Sequence, residues 1–389
     1  MEDKVKLLCL GVDLEGGGAE RAQVVFLRHL DRELFAPKVV YLRRSGPLLT
    51  ELPQDISIRF LFDTNVLPSS SLRKPKNLLY VFNHLSRHIR EADVVFVMIE
   101  GGLTYLGVTL AQLMGKPVIT WLEVNWSDML KDRANWHRWI SRRIYPLAHG
   151  IIAVSKGAAD DLCAFAPGAC SRIRVIPNPI DLALIYRKAK GPTPEWVEGW
   201  FDKPVAVAVG RLHRQKGFDL LISAFAQAVE AGMDWKLLIL GEGAERVRLE
   251  RQVAALGLQA RVRLPGFVSN PYPFMRRSNL FVLSSRYEGL PTVLIEALAL
   301  GLPVVSTDCP SGPREILGDQ YPFLVPVENP QELARVLIQA MKAVEAGAMN
   351  SREYVALAKA YDAPKVTREI SELIIHILHT KRSPGRIRL

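Results

Sequence analysis

A chain of 389 residues is long enough for two or three domains of ~150 residues, and a 49% apolar, 23% charged composition excludes a disordered or fibrous protein. The formal net charge of +10 points to an anionic contact: nucleic acid, a phosphate-bearing ligand or an acidic membrane surface. The four cysteines (Cys9, Cys163, Cys170, Cys309) include no C-x-x-C pair and are too few for a disulfide framework, so the simple reading is a reducing, cytosolic compartment.

The opening "MEDKVKLLCLGVDLEGGG" lacks an apolar core of signal-peptide length. "KVKLLCLGV" predicts a buried strand, and "AERAQVVFLRHL" a helix with Ala22, Val25, Phe26 and Leu30 on one face. Between them, Gly16, Gly17 and Gly18 can bring bare backbone N–H groups close to a phosphate at a helix start; a tight strand–helix turn is the alternative reading. The spacing is not the G-x-G-x-x-G dinucleotide fingerprint. "KVVYL", "DVVFVM", "PVITWL" and "GIIAVS" predict further strands. Residues 94–114 are apolar-rich, but Glu100, Gly101, Gly102 and Gln112 interrupt them, which predicts a strand, a glycine loop and a helix instead of a membrane span.

Two basic amphipathic segments fall in this half. In "SLRKPKNLLYVFNHLSRHIREA", His84 and His88 stand at i, i+4 without a third metal ligand nearby, so a solvated helix face is the better reading. In "NWSDMLKDRANWHRWISRRIYP", Trp136, Trp139 and Ile140 share a helical face, Arg138 and Arg142 stack at i, i+4, and Arg133 and Arg143 add charge. Aromatic and basic residues together suit a lipid headgroup zone or a phosphate-bearing acceptor. The competing reading packs the tryptophans into the core and leaves the arginines in solvent.

Prolines in "VIPNPID" stiffen a hinge near Pro177 to Asp181, and the pattern then restarts. "VAVAVGRL", "KLLILGEG", "RVRLPGF", "LFVLSS" and "PVVSTD" predict strands, with helices such as "GFDLLISAFAQAV" between them. Short apolar strands alternating with helices predict two doubly wound α/β domains with parallel sheets, which bind ligands beyond the carboxyl ends of their strands. After the first strand of this half, Arg211 and Lys216 precede a helix near Gly217; they are suited to a diphosphate, or form a solvated basic loop.

"RYEGLPTVLIEALALGLPVVSTDCPSG" sets Glu288 before a helix starting at Pro291 or Thr292, and Glu296 about one turn into it. The turn and helix start offer free N–H groups to an anion, and carboxylates bind hydroxyls. A ligand with a diphosphate between two hydroxyl-bearing groups fits that order: a nucleotide sugar.

This stretch resembles the E-x7-E signature of retaining GT-B glycosyltransferases, in particular glycosyltransferase family 4. "GGAER", "IIAVSKG", "VIPNPID" and "VGRLHRQKGFDLLISAF" resemble family segments in the same order, and the likeness spans nearly the whole chain. It implies a GT-B fold: an acceptor-binding Rossmann-like domain at 1–180, a donor-binding one at 181–365, and a last helix, about 366–389, packing back on the first. It implies that Arg211 and Lys216 hold the diphosphate, Glu288 the donor sugar and Glu296 the ribose. The amides of Gly289, Leu290, Pro291 (which has only its carbonyl to offer) and Thr292, with Gly17 and Gly18, would complete the phosphate site. Glu242, Gly266 and Phe267 fall in loops expected near the base. No metal or other cofactor is implied. Where many members carry a histidine after the fourth strand, this chain has Glu123, which suits acceptor hydroxyls or a structural role. Front-face attack with retention is the implied route.

The expectation is a retaining hexosyltransferase moving a hexose or N-acetylhexosamine from a UDP-sugar to a glycan or lipid-linked acceptor. It would be cytoplasmic, with Trp136, Trp139, Arg138 and Arg142 on the acceptor or membrane side at the cytosolic face of the inner membrane. Alternatives are a GDP-mannose-dependent enzyme or a GT-B epimerase or hydrolase. A nucleic-acid partner is not expected, since no recognised basic or aromatic module appears.

Overall fold

The computed structural model describes residues 4–63, 75–129 and 135–382. The chain divides into two compact units, Met1–Pro179 with Ala363–Leu389, and Ile180–Asp362. The division falls inside "IPNPID". Ile180 pairs as an isolated parallel bridge with Asp362, where the chain enters and leaves the second unit.

The first unit carries seven strands: β1 (Val5–Gly11), β2 (Phe35–Arg43), β3 (Ser57–Phe62), β4 (Val94–Val97), β5 (Val118–Leu122), β6 (Gly150–Ala153) and β7 (Ile173–Val175). They form one sheet in the order β3-β2-β1-β4-β5-β6-β7, every pairing parallel. The inner strands are buried on both faces, as their unbroken Val/Ile/Leu runs require. Sequence patterning did not pick out β3 and β7. Both lie at the sheet edges, half-exposed, and carry Arg59 and Arg174 among their apolar residues. Counting β3 makes the strand before Glu123 the fifth of this unit, not the fourth.

One face of this sheet is packed by Val81, Leu85 and Ile89 of the helix Pro75–Glu91 and Val108, Leu110 and Ala111 of the helix Gly102–Leu113. Elsewhere in the same unit Phe26, Phe96 and Trp121 form an aromatic cluster with centroids 5.4 to 5.9 Å apart. The C-terminal helix Ala363–Arg382 belongs to this unit: a side chain on Gly150 would lie 2.4 Å from Ile377, so glycine is what lets the helix approach the start of β6.

The second unit has six strands: β8 (Val205–Val209), β9 (Lys236–Leu240), β10 (Val262–Gly266), β11 (Leu280–Leu283), β12 (Val304–Thr307) and β13 (Leu324–Val325), in the order β10-β9-β8-β11-β12-β13 and again all parallel. Its core joins Phe218, Leu221, Ile222 and Phe225 of the helix Phe218–Glu230 to Leu333, Val336 and Leu337 of the helix Pro330–Glu345.

The cysteine reading is corrected in one respect: Cys163 and Cys170 form a disulfide, while Cys9 and Cys309 are buried and free. Cys163 lies in the last turn of the helix Lys156–Phe165 and Cys170 sits in the following 3-10 segment, so the chain turns back and brings their Cα atoms to 4.9 Å. A seven-residue separation across a helix end matches no spacing motif, which is why the pairing was not legible. Among the described residues no helix is long and apolar enough to cross a membrane, and no three potential metal ligands cluster.

Candidate functional site

Each sheet changes direction once. In the second unit the strand order runs one way from β8 through β9 to β10 and the other way through β11 to β13. The crevice beyond the carboxyl ends of β8 and β11 is therefore a topological switch point, the place where open α/β sheets bind ligands. The loops leaving these strands carry Arg211 to Lys216 and Ser284 to Pro291.

The two loops are laced together. Gln215 Nε2 donates to the Tyr287 carbonyl at 3.0 Å, Arg286 N donates to the Gln215 carbonyl at 2.7 Å, and Ser284 Oγ donates to the Lys216 carbonyl at 2.8 Å. Gly217 has φ +62°, and a side chain there would lie 2.0 Å from the Ser284 carbonyl oxygen. Only glycine allows both the left-handed turn and that approach.

Lys216 Nζ lies 2.6 Å from Glu288 Oε1, and Ser285 Oγ donates to the same oxygen at 2.6 Å. The Lys216 and Glu288 side chains are only 16% and 8% exposed. Arg286, two residues before Glu288, is already engaged: it forks onto Asp219 at 2.8 and 2.9 Å and also pairs with Glu328. Arg211 is exposed, and among the described residues no ion pair or side-chain hydrogen bond engages its guanidinium. Of these two arginines, Arg211 is the one free for an anion.

Gly289 to Pro291 lead into the helix Thr292–Ala299, whose N-cap is Pro291. Gly312 (φ +89°) packs against this turn; a side chain there would lie 2.3 Å from Pro291 Cδ. The first amides of the helix have no side-chain cap, which leaves them as donors for an anion. Glu296 is buried on this helix.

At the neighbouring strand ends, Gly241 N donates to the Gly266 carbonyl at 2.9 Å and Leu212 N to the Glu242 carbonyl at 2.8 Å. Glu242 is ion-paired with Arg246 at 2.7 Å, whose hydrogen bonds hold its carboxyl below the usual range. Phe267 is exposed beside them. The structure thus brings Arg211, Lys216, Glu242, Gly266, Phe267, Glu288, Gly289, Leu290, Pro291, Thr292 and Glu296 onto one rim of the second unit.

In the first unit the switch point lies between β1 and β4. Gly17 is the N-cap of the helix Gly18–His29, again without a side-chain cap. The Glu20 carboxylate folds back on it, within 2.4 Å of where a Gly17 side chain would begin, so one carboxylate already faces this helix start.

Glu123 leaves β5 and is buried. Asn178 Nδ2 donates to its Oε2 at 2.6 Å, and its backbone N–H donates to Glu100 Oε1. Burial, then the Glu100 charge, pushes the Glu123 carboxyl well up; burial likewise pushes Glu100 up to about 7 against the amides that favour its charge. Glu100, Asn178 and Ser285 were not singled out as site residues from sequence. Glu100 had registered only as a break in an apolar run, and Asn178 only as part of a linker.

The helix Asn135–Ile144 buries only Ser141 among its apolar and small residues. Trp136 and Trp139 are 51% and 58% exposed, which overturns the reading that packs them into the core. Trp136 stacks on His137, and the Arg143 guanidinium lies 3.9 Å from the Trp139 ring centroid. Arg138 points to solvent, whereas Arg142 donates to the Phe165 carbonyl at 2.9 Å and stacks on that ring. Arg133 lies outside the described residues. The reading of His84 and His88 as a solvated helix face is corrected: His84 is half-buried with Nδ1 at the Tyr80 carbonyl, and His88 is buried beside Glu91.

Residues 196–354 match the family described as Glycosyl transferases group 1, and residues 16–184 match Glycosyltransferase Family 4. Over 260 residues, 67% of each chain, the sequence is 31% identical to an N-acetylgalactosamine-N,N'-diacetylbacillosaminyl-diphospho-undecaprenol 4-alpha-N-acetylgalactosaminyltransferase of Campylobacter jejuni. It is 40% identical over 148 residues to an uncharacterized glycosyltransferase of Methanocaldococcus jannaschii, a match spanning 38% of this chain and about a third (36%) of that relative's length. Among solved structures, HepE of Anabaena in complex with UDP superposes with a TM-score of 0.77 at 20% identity, covering 96% of this chain and 100% of that one. Sucrose-phosphate synthase of Thermosynechococcus elongatus superposes at 0.80 with 17% identity, covering 97% and 100%.

Proposed function

This chain belongs to the GT-B glycosyltransferases, and we propose that it is a retaining enzyme that moves a hexose or N-acetylhexosamine from a UDP-sugar to a glycan or lipid-linked acceptor in cell-surface polysaccharide or lipopolysaccharide biosynthesis. The observation that carries the reading is the Lys216–Glu288 contact beside the free Arg211 at the β8/β11 switch point. It sets cations, uncapped helix amides and a carboxylate on one rim, the chemistry of a diphosphate joined to a sugar.

In this reading Arg211, Lys216 and the amides of Gly289, Leu290 and Thr292 stabilise the negative charge that grows on the leaving diphosphate. Lys216 is already held by Glu288, so both groups are oriented before the donor arrives. Glu288 takes sugar hydroxyls and Glu296 the ribose. The acceptor oxygen attacks from the face the diphosphate leaves, and a diphosphate oxygen receives its proton. The charge stabilisation comes from side chains and dipoles, so the proposal includes no metal or other cofactor. Glu242, Gly266 and Phe267 form the base end.

UDP is preferred because HepE is described in complexes with UDP and with UDP-glucose. The Campylobacter relative, named for transfer to a diphospho-undecaprenol-linked sugar, supports a lipid-linked acceptor. The exposed Trp136 and Trp139, beside Arg138 and Arg143, suit a peripheral contact with an anionic membrane at the cytosolic face.

The test is a panel of UDP- and GDP-sugars offered with lipid diphosphate-linked and soluble glycans, products read by mass spectrometry and their anomeric configuration by NMR. A new glycosidic bond with the donor's configuration, formed from a UDP-sugar, is expected. Exclusive use of GDP-mannose would reassign the donor, turnover without acceptor would favour an epimerase or hydrolase, and no consumption at all would refute the reading.

A further inference from the structure

Glu100 stands at the carboxyl end of β4 beside Glu123 at the end of β5, and the two strands are paired neighbours. The backbone N–H of Glu123 donates to Glu100 Oε1, and the amides of Val124 and of Glu100 itself also bond to that carboxylate. A carboxylate accepting successive amides fixes the turn that presents them, so Glu100 sets where the Glu123 side chain starts. Asn178 fixes where it ends, through the 2.6 Å bond from Nδ2 to Glu123 Oε2.

Two oxygens of this assembly are left over. Glu123 Oε1 and Asn178 Oδ1 are both buried, and neither has a hydrogen-bond partner among the described residues. Buried oxygens are nearly always satisfied, and those that are not call for an explanation. Glu123 Oε2 accepts from Asn178, so a proton on the Glu123 carboxyl belongs on Oε1. A protonated Oε1 is a donor and Asn178 Oδ1 is an acceptor. One hydroxyl group, which both accepts and donates, complements the two.

We propose that Glu100 is a positioning residue for acceptor recognition: through the 123–124 turn it fixes Glu123, and the Glu123–Asn178 pair receives one hydroxyl of the sugar acceptor. This rests on the glycosyltransferase reading and extends it to a group that touches no ligand itself. The charge environment agrees. Burial raises both carboxyls, Glu100 to about 7 and Glu123 well above the ordinary glutamate range, and Glu20 on the first helix adds further negative charge to both. The two titrate as a coupled pair, whose values belong to the pair and not to either carboxyl alone.

The experiment is steady-state kinetics of the full chain with donor and acceptor varied separately, on Glu100→Ala, Glu100→Gln and Glu123→Gln, across pH 5.5 to 8.5, with thermal unfolding as a check on folding. Glutamine in place of Glu100 still accepts the Glu123 amide; alanine does not. Glu100→Ala is expected to raise the acceptor KM about tenfold or more with the donor KM unchanged. Glu100→Gln should keep the acceptor KM within about threefold of wild type but lose the step near pH 7 in kcat/KM. Glu123→Gln keeps an acceptor for Asn178 Nδ2 and puts a fixed donor on the other branch, so its acceptor KM should vary less with pH than that of wild type. If Glu100→Ala folds and keeps the wild-type acceptor KM, or raises both KM values equally, the proposal is overturned. Should Glu100→Ala fail to fold, an unchanged pH profile in Glu100→Gln overturns it as well. Absence of transfer by the wild-type enzyme would instead sink the functional reading, so the two failures are distinguishable.

Discussion

Replacing Lys216 with methionine removes the ammonium 2.6 Å from Glu288 Oε1 while keeping most of the stem volume. At that separation an effective dielectric of ~20 gives a bare attraction of about 6 kcal/mol, but both ions have surrendered hydration to reach side-chain exposures of 16% and 8%. The larger consequence is the buried Glu288 carboxylate left behind with Ser285 as its remaining side-chain donor among the described residues. Removing one partner of a buried pair costs about 3–5 kcal/mol, and the Ser285 hydroxyl and the residual exposure of Lys216 place this case near ~3. For a domain of this size that corresponds to a fall of about 6–12 °C in the unfolding midpoint of the second unit. Adding Glu288→Gln in the same chain removes the stranded charge and should recover about 2 kcal/mol of that loss. Thermal unfolding of the two single variants and the double variant, followed by tryptophan fluorescence, measures the coupling. Sugar transfer should be lost in all three, so the double variant separates a stable fold from a working site. A Lys216→Met midpoint within about 2 °C of wild type, or strictly additive variants, would show that the contact is not the coupled pair described here.

Gly217→Ala forces a non-glycine residue to φ +62° and its side chain to within 2.0 Å of the Ser284 carbonyl; a loss of about 2 kcal/mol or more in stability is expected, read by chemical denaturation. The double variant Trp136→Ala/Trp139→Ala touches exposed rings only; it should leave the unfolding midpoint within about 1 °C while weakening sedimentation with anionic vesicles several-fold, and unchanged vesicle binding would remove these residues from the membrane side. Glu100 has a folded value of about 7 against 4.5 for an ordinary glutamate. The folded state therefore binds the proton more tightly, and stability is full below about pH 4.5 and declines as pH rises through about 7. The decline is on the order of 1–2 kcal/mol after allowing for partial exposure, and Glu100→Gln should flatten it in denaturation curves taken from pH 5 to 8.

The two-domain plan could be read from the chain because interior parallel strands declare themselves as short apolar runs, and "IPNPID" marks their interruption. The edges could not: β3 and β7 each carry an arginine and face solvent on one side, and β13 has two residues. On the donor side, Arg211, Lys216 and Glu288 were visible because charged residues after strand ends break an apolar pattern, and Glu296 because it interrupts an apolar helix. Sequence could not say which arginine was free; Arg286 and Arg211 differ only through Asp219 and Glu328, which lie far from Arg286 along the chain. Ser285 escaped notice because a serine at a strand end is unremarkable until its hydroxyl is found on Glu288. The Glu100–Glu123–Asn178 assembly draws on three separate strand ends, so its members are neighbours only after the sheet has ordered β4, β5 and β7.

The central claim is that the rim formed by Arg211, Lys216 and the Glu288–Glu296 segment holds a nucleoside diphosphate. Calorimetric titration of UDP into wild type, Arg211→Ala and Glu296→Gln tests it without needing the sugar or the acceptor. Saturable one-to-one binding by wild type is expected, weakened about tenfold or more in each variant while their unfolding midpoints stay near wild type. Equal UDP affinity in all three proteins, or no binding by wild type, would contradict the account.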